Sequence, residues 1–374
     1  MPETNFLVWT LFWLFGFWLL WKIPFIKKDQ ENSSEKDYPS FSLIIPARNE
    51  ERRLPYLLDS LSHHALRPLE IIVVNDQSQD STPEIALSRG ARVIESGELP
   101  SGWTGKSWAC WNGALRASGE VLVFLDADTI LCPNGLQHLI HSFMEGQGVL
   151  SVQPYHTMKK AYEQLSAFFN ILSFACMNIA TPLGKKRKPL GSFGPCLVCS
   201  RKDYFSVGGH RAVKDKVLED IDLGKKFLKA GLPVCSFGGK GIIHFRMYPG
   251  GIVELIEGWT KNFGSGAKSA NWFILLMSIA WITGCLAFPS ELVKILIQGE
   301  KFLLGHILLY SFYALQIKWM LGRLGNFRWW TAAFFPLPLL FFVAIFFWSI
   351  FHIFFLGHVR WKERTIKTRP PRRG

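Results

Sequence analysis

Two aspartates one residue apart, Asp126 and Asp128, directly follow the apolar run Val121–Leu125, whose composition predicts a buried strand. In an open α/β sheet, the carboxyl ends of the strands border the ligand crevice. Two carboxylates placed there repel each other unless a cation lies beside them, and their oxygen atoms suit Mg²⁺ or Mn²⁺ bridging to a diphosphate. An Asp pair that only caps a turn or a helix is the alternative when this motif is taken alone.

Helices and strands alternate ahead of this pair. Short apolar runs at Phe41–Ile45, Glu70–Val74 and Ala91–Glu95 predict three more strands, and leucines at helical spacing predict a helix between residues 50 and 63. A further helix over Ser107–Ser118 leads into the strand that ends at the aspartates. Because the strands are apolar on both faces, the pattern predicts a parallel, doubly wound α/β sheet.

Polar residues are concentrated directly after the predicted strands, at the edge where such a sheet binds its ligand. A single acidic loop residue is usually only a turn former, but several in successive units predict a shared site. The residues are Arg48, Asn49 and Glu50 after the first strand, Asp76 and Asp80 after the second, and Asp126 and Asp128 after the fourth.

The segment Gly102-Trp-Thr-Gly105-Lys106-Ser107 ends like a phosphate-binding loop and lies between a predicted strand and a predicted helix. That loop needs a glycine where this chain has Pro100, so its backbone cannot wrap a triphosphate. Lys106 could still reach a phosphate as a point charge.

Apolar runs at both ends of the chain are typical of a membrane protein. Residues 6–26 contain one charge, Lys22, and no cleavage site follows, so we expect a retained anchor that crosses the bilayer once. Lys27 and Lys28 follow it, which predicts an external N-terminus and a cytoplasmic segment 28–268.

Three uncharged runs, at residues 269–290, 302–317 and 329–359, occupy the C-terminal third. The basic tail 360–374 should also be cytoplasmic, so an even number of these runs should cross the membrane. The short run 302–317 is our candidate for the one that does not span, and two prolines could bend the last run into a re-entrant helix.

The net charge of +13 does not by itself indicate nucleic-acid binding. Most of it lies in the tail and in Lys185–Lys188, and basic clusters beside apolar runs attract anionic lipids. The seven cysteines are an odd number without paired spacing, so Cys196 and Cys199 are expected to be buried strand thiols rather than zinc ligands. Cysteines of this number and spacing are typical of a protein that faces the reducing cytosol.

Residues 164–184 form another uncharged segment, with an apolar stripe at helical spacing. Three interpretations stay open for it. It could be a core helix, an interfacial helix that gathers an apolar acceptor, or a true membrane span.

Several motifs occur in a fixed order along the chain and together resemble the family 2 inverting glycosyltransferases of GT-A fold, over roughly residues 40–265. The likeness extends to the bacterial glucosyltransferases of a carotenoid acid, diaponeurosporenoate, over most of the chain. The motifs are Ile45-Pro-Ala-Arg-Asn-Glu50, Val74-Asn-Asp76, Gly105-Lys106, Asp126-Ala-Asp128 and Leu218-Glu219-Asp220.

The resemblance implies a UDP-sugar donor, Mg²⁺ or Mn²⁺, a lipid or carotenoid acceptor, and a multi-pass enzyme of the bacterial inner membrane with its catalytic domain in the cytoplasm. It also implies roles for individual residues. Nucleotide-pocket residues would be Pro46, Ala47, Arg48, Glu50, Asp76 (to uracil), Lys106 and Asp126 (to ribose or a metal-bound water). Metal ligands would be Asp128, with Asp126 and His244 as further candidates, and the catalytic base would be Asp220 in the Glu219-Asp220 pair.

The implied domains are an N-terminal transmembrane helix (1–27), a linker (28–39), a GT-A catalytic domain (40–268), transmembrane or interfacial helices (269–359) and a basic tail (360–374). A lone histidine such as His244 is more often a satisfied core residue than a metal ligand.

The Q-x-x-R-W motif of processive synthases is absent, and Glu257-Gly-Trp-Thr-Lys261 stands in its place. This disfavours the alternative of a synthase making a glycolipid or an exported polysaccharide by chain growth. An inactive scaffold with a transferase fold is disfavoured by the intact acidic residues.

The intact Asp220 raises a question about the acceptor. A carotenoid carboxylic acid is already ionised near neutral pH and needs no base, whereas a hydroxyl acceptor does. Asp220 therefore points either to a lipid alcohol as the acceptor or to a purely orienting role.

Overall fold

The computed structural model describes residues 2–28, 38–184, 188–216, 218–266, 271–298, 303–352, 358–361 and 364–367. Most of the predicted linker, three residues of the basic cluster at 185–188 and much of the tail lie outside the described residues. The chain forms two compact units. Residues 24–156 and 189–246 form the sheet unit, and residues 1–23, 157–188 and 247–374 form the helical unit.

A seven-stranded mixed sheet organises the sheet unit. Its order is β3-β2-β1-β4-β8-β6-β9, and β8 runs antiparallel to both of its neighbours. The other pairs are parallel, so the predicted parallel arrangement is confirmed for β1 to β4, and the antiparallel β8 departs from it. The strands are β1 Phe41–Ala47, β2 Glu70–Asn75, β3 Arg92–Glu95, β4 Val121–Leu125, β6 Val149–Gln153, β8 Cys196–Ser200 and β9 Val234–Gly238.

Helices cover both faces of this sheet, as expected for a doubly wound fold. One face packs on α2 Leu54–Ser62, α3 Thr82–Ser88 and α5 Gly135–Gly146. The other packs on α4 Gly105–Arg116 and α8 Glu219–Lys229. Successive strand residues serve opposite faces, since Leu43 belongs to the first core and Ile44 to the second. The remaining elements of this layer are α7 Arg201–Ser206 and a 3-10 helix, Gly209–Val213.

A small three-stranded sheet adjoins the aspartate motif. Its strands are β5 Thr129–Leu131, β10 Ile243–Phe245 and β7 Tyr155–His156, in the order β5-β10-β7. Because β5 begins directly after Asp128, this sheet fixes the downstream side of the motif.

The helical unit combines the N-terminal helix with the last part of the chain. One helical stretch of the described residues, Trp272–Ile297 within α10, is long and apolar enough to cross a membrane. The unit contains α1 Pro2–Leu19, a 3-10 helix Ala161–Ser166, α6 Ala167–Cys176, α9 Ile252–Gly266, α10 Trp272–Gln298, α11 Leu303–Leu324, α12 Trp329–Ala333 and α13 Pro336–Phe351, with a hairpin of β11 His358–Trp361 and β12 Arg364–Lys367.

Helix α6 decides between the three interpretations of segment 164–184. It has ten residues and is buried on nearly every side, including the large rings of Phe168 and Phe169. Ten helical residues span about 15 Å, which is half of a bilayer core. The segment therefore holds a core helix of the helical unit.

Uncharged polar side chains tie α1, α10 and α11 together. The Trp281 indole donates to Gln316 Oε1 (2.9 Å), and Gln316 Nε2 donates to the carbonyl oxygen of Trp13 (2.8 Å). A side chain at Gly16 would collide with both Gln316 and Trp281, so the glycine permits this contact. Each buried polar group in the network thus has its partner, as apolar surroundings require.

The end of the chain turns back within this unit. The Tyr310 hydroxyl, in the middle of α11, donates to the carbonyl oxygen of Ala333, and Phe335 stacks on the Tyr310 ring at 5.1 Å. At the far end of α13, Ser349 Oγ donates to the carbonyl oxygen of Thr260 in α9 (2.6 Å). The turn between α12 and α13 therefore lies beside the middle of α11, and the far end of α13 contacts α9.

Candidate active site

The loops that follow β1 and β2 are bonded to each other. The Arg48 guanidinium donates to the carbonyl oxygen of Asp76 (2.8 Å), and the Asp76 amide donates to the carbonyl oxygen of Ala47 (2.8 Å). Farther on, the Glu50 amide donates to Thr82 Oγ1 (2.8 Å). The two strand ends are thus held as one rim.

Two residues of this rim have left-handed backbone conformations. Asn49 has φ +52° and Gln77 has φ +57°, a region that non-glycine residues rarely occupy. Hydrogen bonds compensate, because the Asn49 side chain accepts from the Gln79 amide (2.9 Å) and the Asn49 amide donates to Ser78 Oγ (3.1 Å). Strain of this kind is concentrated where the backbone must be shaped for a ligand.

Asp80 belongs to the loop itself. Its carboxylate accepts from the amides of Glu51 (3.1 Å) and Thr82 (3.1 Å). Burial alone would raise the pKa of Asp80, but the hydrogen bond from the Thr82 hydroxyl and those from the two amides lower it below its ordinary value. Asp80 therefore stabilises the turn, which is the usual role of a single acidic residue in a loop.

Pro46 and Ala47 are the last two residues of β1, and Glu50 is buried with its carboxylate 3.4 Å from Arg53 Nη1. The structure thus brings Pro46, Ala47, Arg48, Glu50 and Asp76 together at neighbouring strand ends. Their contact with a nucleotide stays a prediction.

A tight turn presents the two aspartates of the motif. The carbonyl oxygen of Asp126 accepts from the Thr129 amide (3.1 Å) and hydroxyl (2.7 Å). The Asp126 amide donates to the carbonyl oxygen of Pro195 (2.9 Å), which ties the turn to the segment before β8. Both Asp126 and Asp128 are half-buried rather than enclosed in the core.

The Lys106 ammonium joins this turn to the candidate base. Lys106 is the second residue of α4, and Thr104 caps that helix by accepting from the Ser107 amide. Lys106 Nζ lies 2.9 Å from Asp126 Oδ1 and 3.2 Å from Asp220 Oδ2. It is 3.8 Å from Glu219 Oε1. Residues 106, 126, 219 and 220, far apart in sequence, therefore form one cluster.

The charge state of Lys106 follows from this geometry. Burial by itself would lower the pKa of Lys106, but Asp126, Asp220 and Glu219 together raise it well above its ordinary value. Lys106 is therefore an ammonium ion throughout the physiological range.

Gly194, to which the sequence assigned no role, lies beside this cluster. A side chain built there would collide with the Asp220 carboxylate, and its first carbon would lie 3.2 Å from Lys106 Nζ. The neighbouring Ser192 hydroxyl donates to the carbonyl oxygen of Asp220 (2.5 Å). The segment before β8 thus contacts the first turn of α8 and holds it in place. The absence of a side chain at residue 194 lets Asp220 approach Lys106.

His244 lies on β10, directly opposite Ile130 of β5, and Ile130 is two residues after Asp128. Across the part of the chain that the structure describes, no three His, Cys, Asp or Glu side chains are grouped as a metal site. His244 as a third metal ligand stays a prediction.

A buried aromatic pair supports the strand that carries the motif. Tyr204 Oη and His210 Nδ1 are 2.8 Å apart, and both rings pack on Phe124 of β4, at centroid distances of 5.3 and 5.1 Å. Burial lowers the pKa of His210 to about 3, with a smaller contribution from Lys106, so the ring is neutral. The sequence assigned this pair no role, because its burial depends on the fold.

Comparisons with known proteins agree with this geometry. Residues 42–218 match the model of glycosyl transferase family 2. The chain is 38% identical over 347 residues to the 4,4'-diaponeurosporenoate glycosyltransferase of Staphylococcus haemolyticus, a match that covers 91% of each chain. The chain is a family 2 glycosyltransferase. The resemblance inferred from the motifs is confirmed.

Two further comparisons extend this result. This transferase is 35% identical over 332 residues to the 4,4'-diaponeurosporenoate glycosyltransferase of Staphylococcus aureus, over 88% of each chain. A mannosyltransferase of Pyrobaculum calidifontis, solved with GDP-mannose and Mn²⁺, shares its fold with a TM-score of 0.53 and 16% identity, over 93% of this chain and 97% of that one.

The residues of the transferase fit a divalent cation. Mg²⁺ and similar ions are usually bound by one or two carboxylates, with substrate phosphates and water completing the shell. The acidic pair of the turn supplies two half-buried carboxylates, the number of protein ligands that such a site uses. Asp126 accepts from Lys106 through both of its oxygens (2.9 and 3.1 Å). Asp128 as the metal ligand stays a prediction.

Proposed function

We propose that this transferase moves one sugar, most simply glucose, from a UDP-sugar to a carotenoid carboxylic acid at a membrane surface, with Mg²⁺ or Mn²⁺. The observation that carries the proposal is the cluster of Lys106, Asp126, Glu219 and Asp220. The cluster joins the turn of the aspartate motif, on the donor side, to helix α8, on the acceptor side. The chain is also 38% identical to an enzyme whose name contains this acceptor.

On the donor side, the rim of Arg48 and Asp76 would receive the nucleoside, and Asp128 would hold the cation. A cation held there would supply positive charge to offset the charge that develops on the departing diphosphate. The residues themselves orient the donor and keep the anomeric carbon facing α8. Rigid loops favour this because orientation can account for a large part of a rate enhancement.

On the acceptor side, the Glu219-Asp220 pair stands at the first turn of α8, close to the motif turn. Displacement from the face opposite the leaving group inverts the anomeric configuration. Asp220 would be the base for a hydroxyl acceptor. An acceptor that is already ionised requires only positioning.

Membrane attachment is part of the proposal. Helix α11 has 22 residues, about 33 Å of helix, and continues beyond the uncharged run 302–317. We therefore revise our candidate for the run that does not span: α1, α10 and α11 cross the bilayer, and α12 and α13 form a re-entrant hairpin. This gives the even number of crossings that a cytoplasmic tail requires after residue 268.

The test of the function uses the full-length chain in nanodiscs, supplied with UDP-glucose, Mg²⁺ or Mn²⁺, and 4,4'-diaponeurosporenoate. We expect a glucosyl ester detected by mass spectrometry, and no product after chelation of the metal. UDP-galactose and GDP-mannose serve as competing donors. Transfer only to a glycolipid or a growing polysaccharide would replace the proposed acceptor by the alternative.

The topology is tested separately by reporter fusions. A fusion after residue 300 should report an external position, and a fusion at the C-terminus should report a cytoplasmic one. Opposite signals at either point would contradict the re-entrant hairpin without affecting the proposed reaction.

A further inference from the structure

The Lys106 cluster presents an electrostatic problem for the proposed acceptor. Three carboxylates, those of Asp126, Glu219 and Asp220, lie within 3.8 Å of one ammonium. An acceptor that is itself a carboxylate brings another negative charge toward these groups. Such an approach is unfavourable in partly buried surroundings unless a cation receives the incoming group.

Lys106 has the position and the exposure to receive it. Its side chain is 30% exposed, whereas those of Glu219 and Asp220 are 10% and 16% exposed. Gly194 lies close to both the Asp220 carboxylate and the Lys106 ammonium and adds no side chain of its own there. An ammonium has three donor hydrogens in a rotatable group. One can stay on Asp126 and one on Asp220, while the third turns from the second Asp126 oxygen to a ligand.

The reaction itself leaves Asp220 available for this arrangement. One oxygen of an ionised carboxylate forms the bond to the anomeric carbon, the bond from that carbon to UDP breaks, and UDP leaves with the electron pair. No proton is transferred in this step. A hydroxyl acceptor would differ, because its proton must pass to a base such as Asp220.

We propose that Lys106, held between Asp126 and Asp220, is the specificity-determining residue that binds the acceptor's carboxylate and thereby selects acidic acceptors over alcohols. This inference rests on the proposed function and names the group that recognises the acceptor. It assigns Asp220 the task of holding the ammonium in place, which answers why the residue is present in an enzyme whose acceptor needs no base. The rival assignment is that Lys106 binds the donor diphosphate.

The experiment compares two acceptors of the same polyene length, 4,4'-diaponeurosporenoate and the corresponding primary alcohol, with UDP-glucose as donor. The full-length wild type is compared with Lys106→Met and Lys106→Arg. Lys225→Met is the matched control. It removes a Lys–Asp ion pair of 2.9 Å that lies on α8, the helix of Asp220, but outside the cluster. Four quantities are measured: kcat/KM for each acceptor, the KM for the donor, and the hydrolysis of UDP-glucose without acceptor.

We expect Lys106→Met to lower kcat/KM for the acid about 100-fold and to reduce the preference for acid over alcohol at least about tenfold. The donor KM and the hydrolysis rate should stay within about threefold of wild type. Lys106→Arg should keep most of the preference, and Lys225→Met should match wild type.

Equal losses with both acceptors, accompanied by a raised donor KM and slower hydrolysis, would assign Lys106 to the diphosphate and overturn the inference. If Lys106→Met does not fold, Lys106→Gln replaces it, because glutamine keeps hydrogen bonds without the charge. The ratio of kcat/KM for the acid to kcat/KM for the alcohol should then fall in the same way. Failure of the proposed function is a different result, because the wild type would then not glycosylate the acid at all.

Discussion

The sheet unit and the helical unit use polar side chains in opposite ways. Around Lys106 the sheet unit gathers charged groups, with an ammonium shared by several carboxylates. The helical unit joins its long helices through the uncharged Gln316, Trp281 and Tyr313. Charges are tolerated where a cation, a diphosphate and water can reach them, whereas apolar surroundings require neutral groups that satisfy one another.

This difference predicts which substitutions should affect turnover and which should affect stability. Changes among the charged groups should reduce turnover and leave the fold intact. Changes among the neutral groups should reduce stability and leave turnover per folded molecule unchanged. The following predictions test this separation.

The largest effect is expected for Asp128→Ala. Loss of the predicted cation ligand should lower kcat for UDP release by about 10²–10³-fold, since charge stabilisation at the leaving group is lost. Steady-state assays over a range of Mn²⁺ concentrations measure this. The exposed Asp215→Asn is the control. Activity within twofold of wild type would remove Asp128 from the metal site.

Gly194→Ala should have the next largest effect. The new methyl group would displace the Asp220 carboxylate from Lys106, and we expect kcat to fall about 10–100-fold with an unchanged midpoint of thermal unfolding. Gly146→Ala is the control, because a side chain there meets only ordinary contact with Cys235 Sγ at 3.5 Å. A normal kcat would show that the approach of Asp220 to Lys106 has no role in turnover.

Gln316→Leu should affect the helical unit alone. It leaves the Trp281 indole without its acceptor, at a cost of about 1–2 kcal/mol in the free energy of unfolding. Unfolding in detergent measures this, and Trp281→Phe in the same background should recover part of the loss. A fall in kcat per folded molecule would contradict the separation between the units.

The smallest effect concerns pH and the neutral His210. Its pKa is about 3 in the fold against about 6.5 when unfolded, so below pH 6.5 the unfolded chain binds the proton and the fold loses stability. The free energy of unfolding should fall by at most about 1.4 kcal/mol per pH unit between pH 6.5 and 5. His210→Gln should reduce this slope, and the exposed His63→Gln should not. An unchanged slope in the first variant would show that His210 is not held neutral.

The sequence predicted the parallel strands well because their signals are local. The strand Val121–Leu125 has the predicted limits, and the helix predicted to start at Ser107 begins two residues earlier at Gly105. Cys196 and Cys199 are buried strand thiols, as expected.

The site was less predictable where a strand reverses direction. A parallel strand brings the residues that follow it to the carboxyl edge of the sheet, but the antiparallel β8 brings the residues that precede it. Gly194 and Ser192 therefore lie at the site although they precede β8. Considering only the residues that follow each strand does not find them. The pairing of Lys106 with Asp220 was equally hidden, because it joins residues separated by 114 positions.

The division into units has a practical consequence for anyone who wishes to shorten the protein. The chain passes between the units after residues 23, 156, 188 and 246, so the helical unit is assembled from three separate stretches. A fragment limited to residues 40–268 would keep α6 but lose α10, α11 and α13, which pack around it. Phe168 and Phe169 would then meet water, and we expect such a fragment to aggregate unless residues 157–188 are also redesigned.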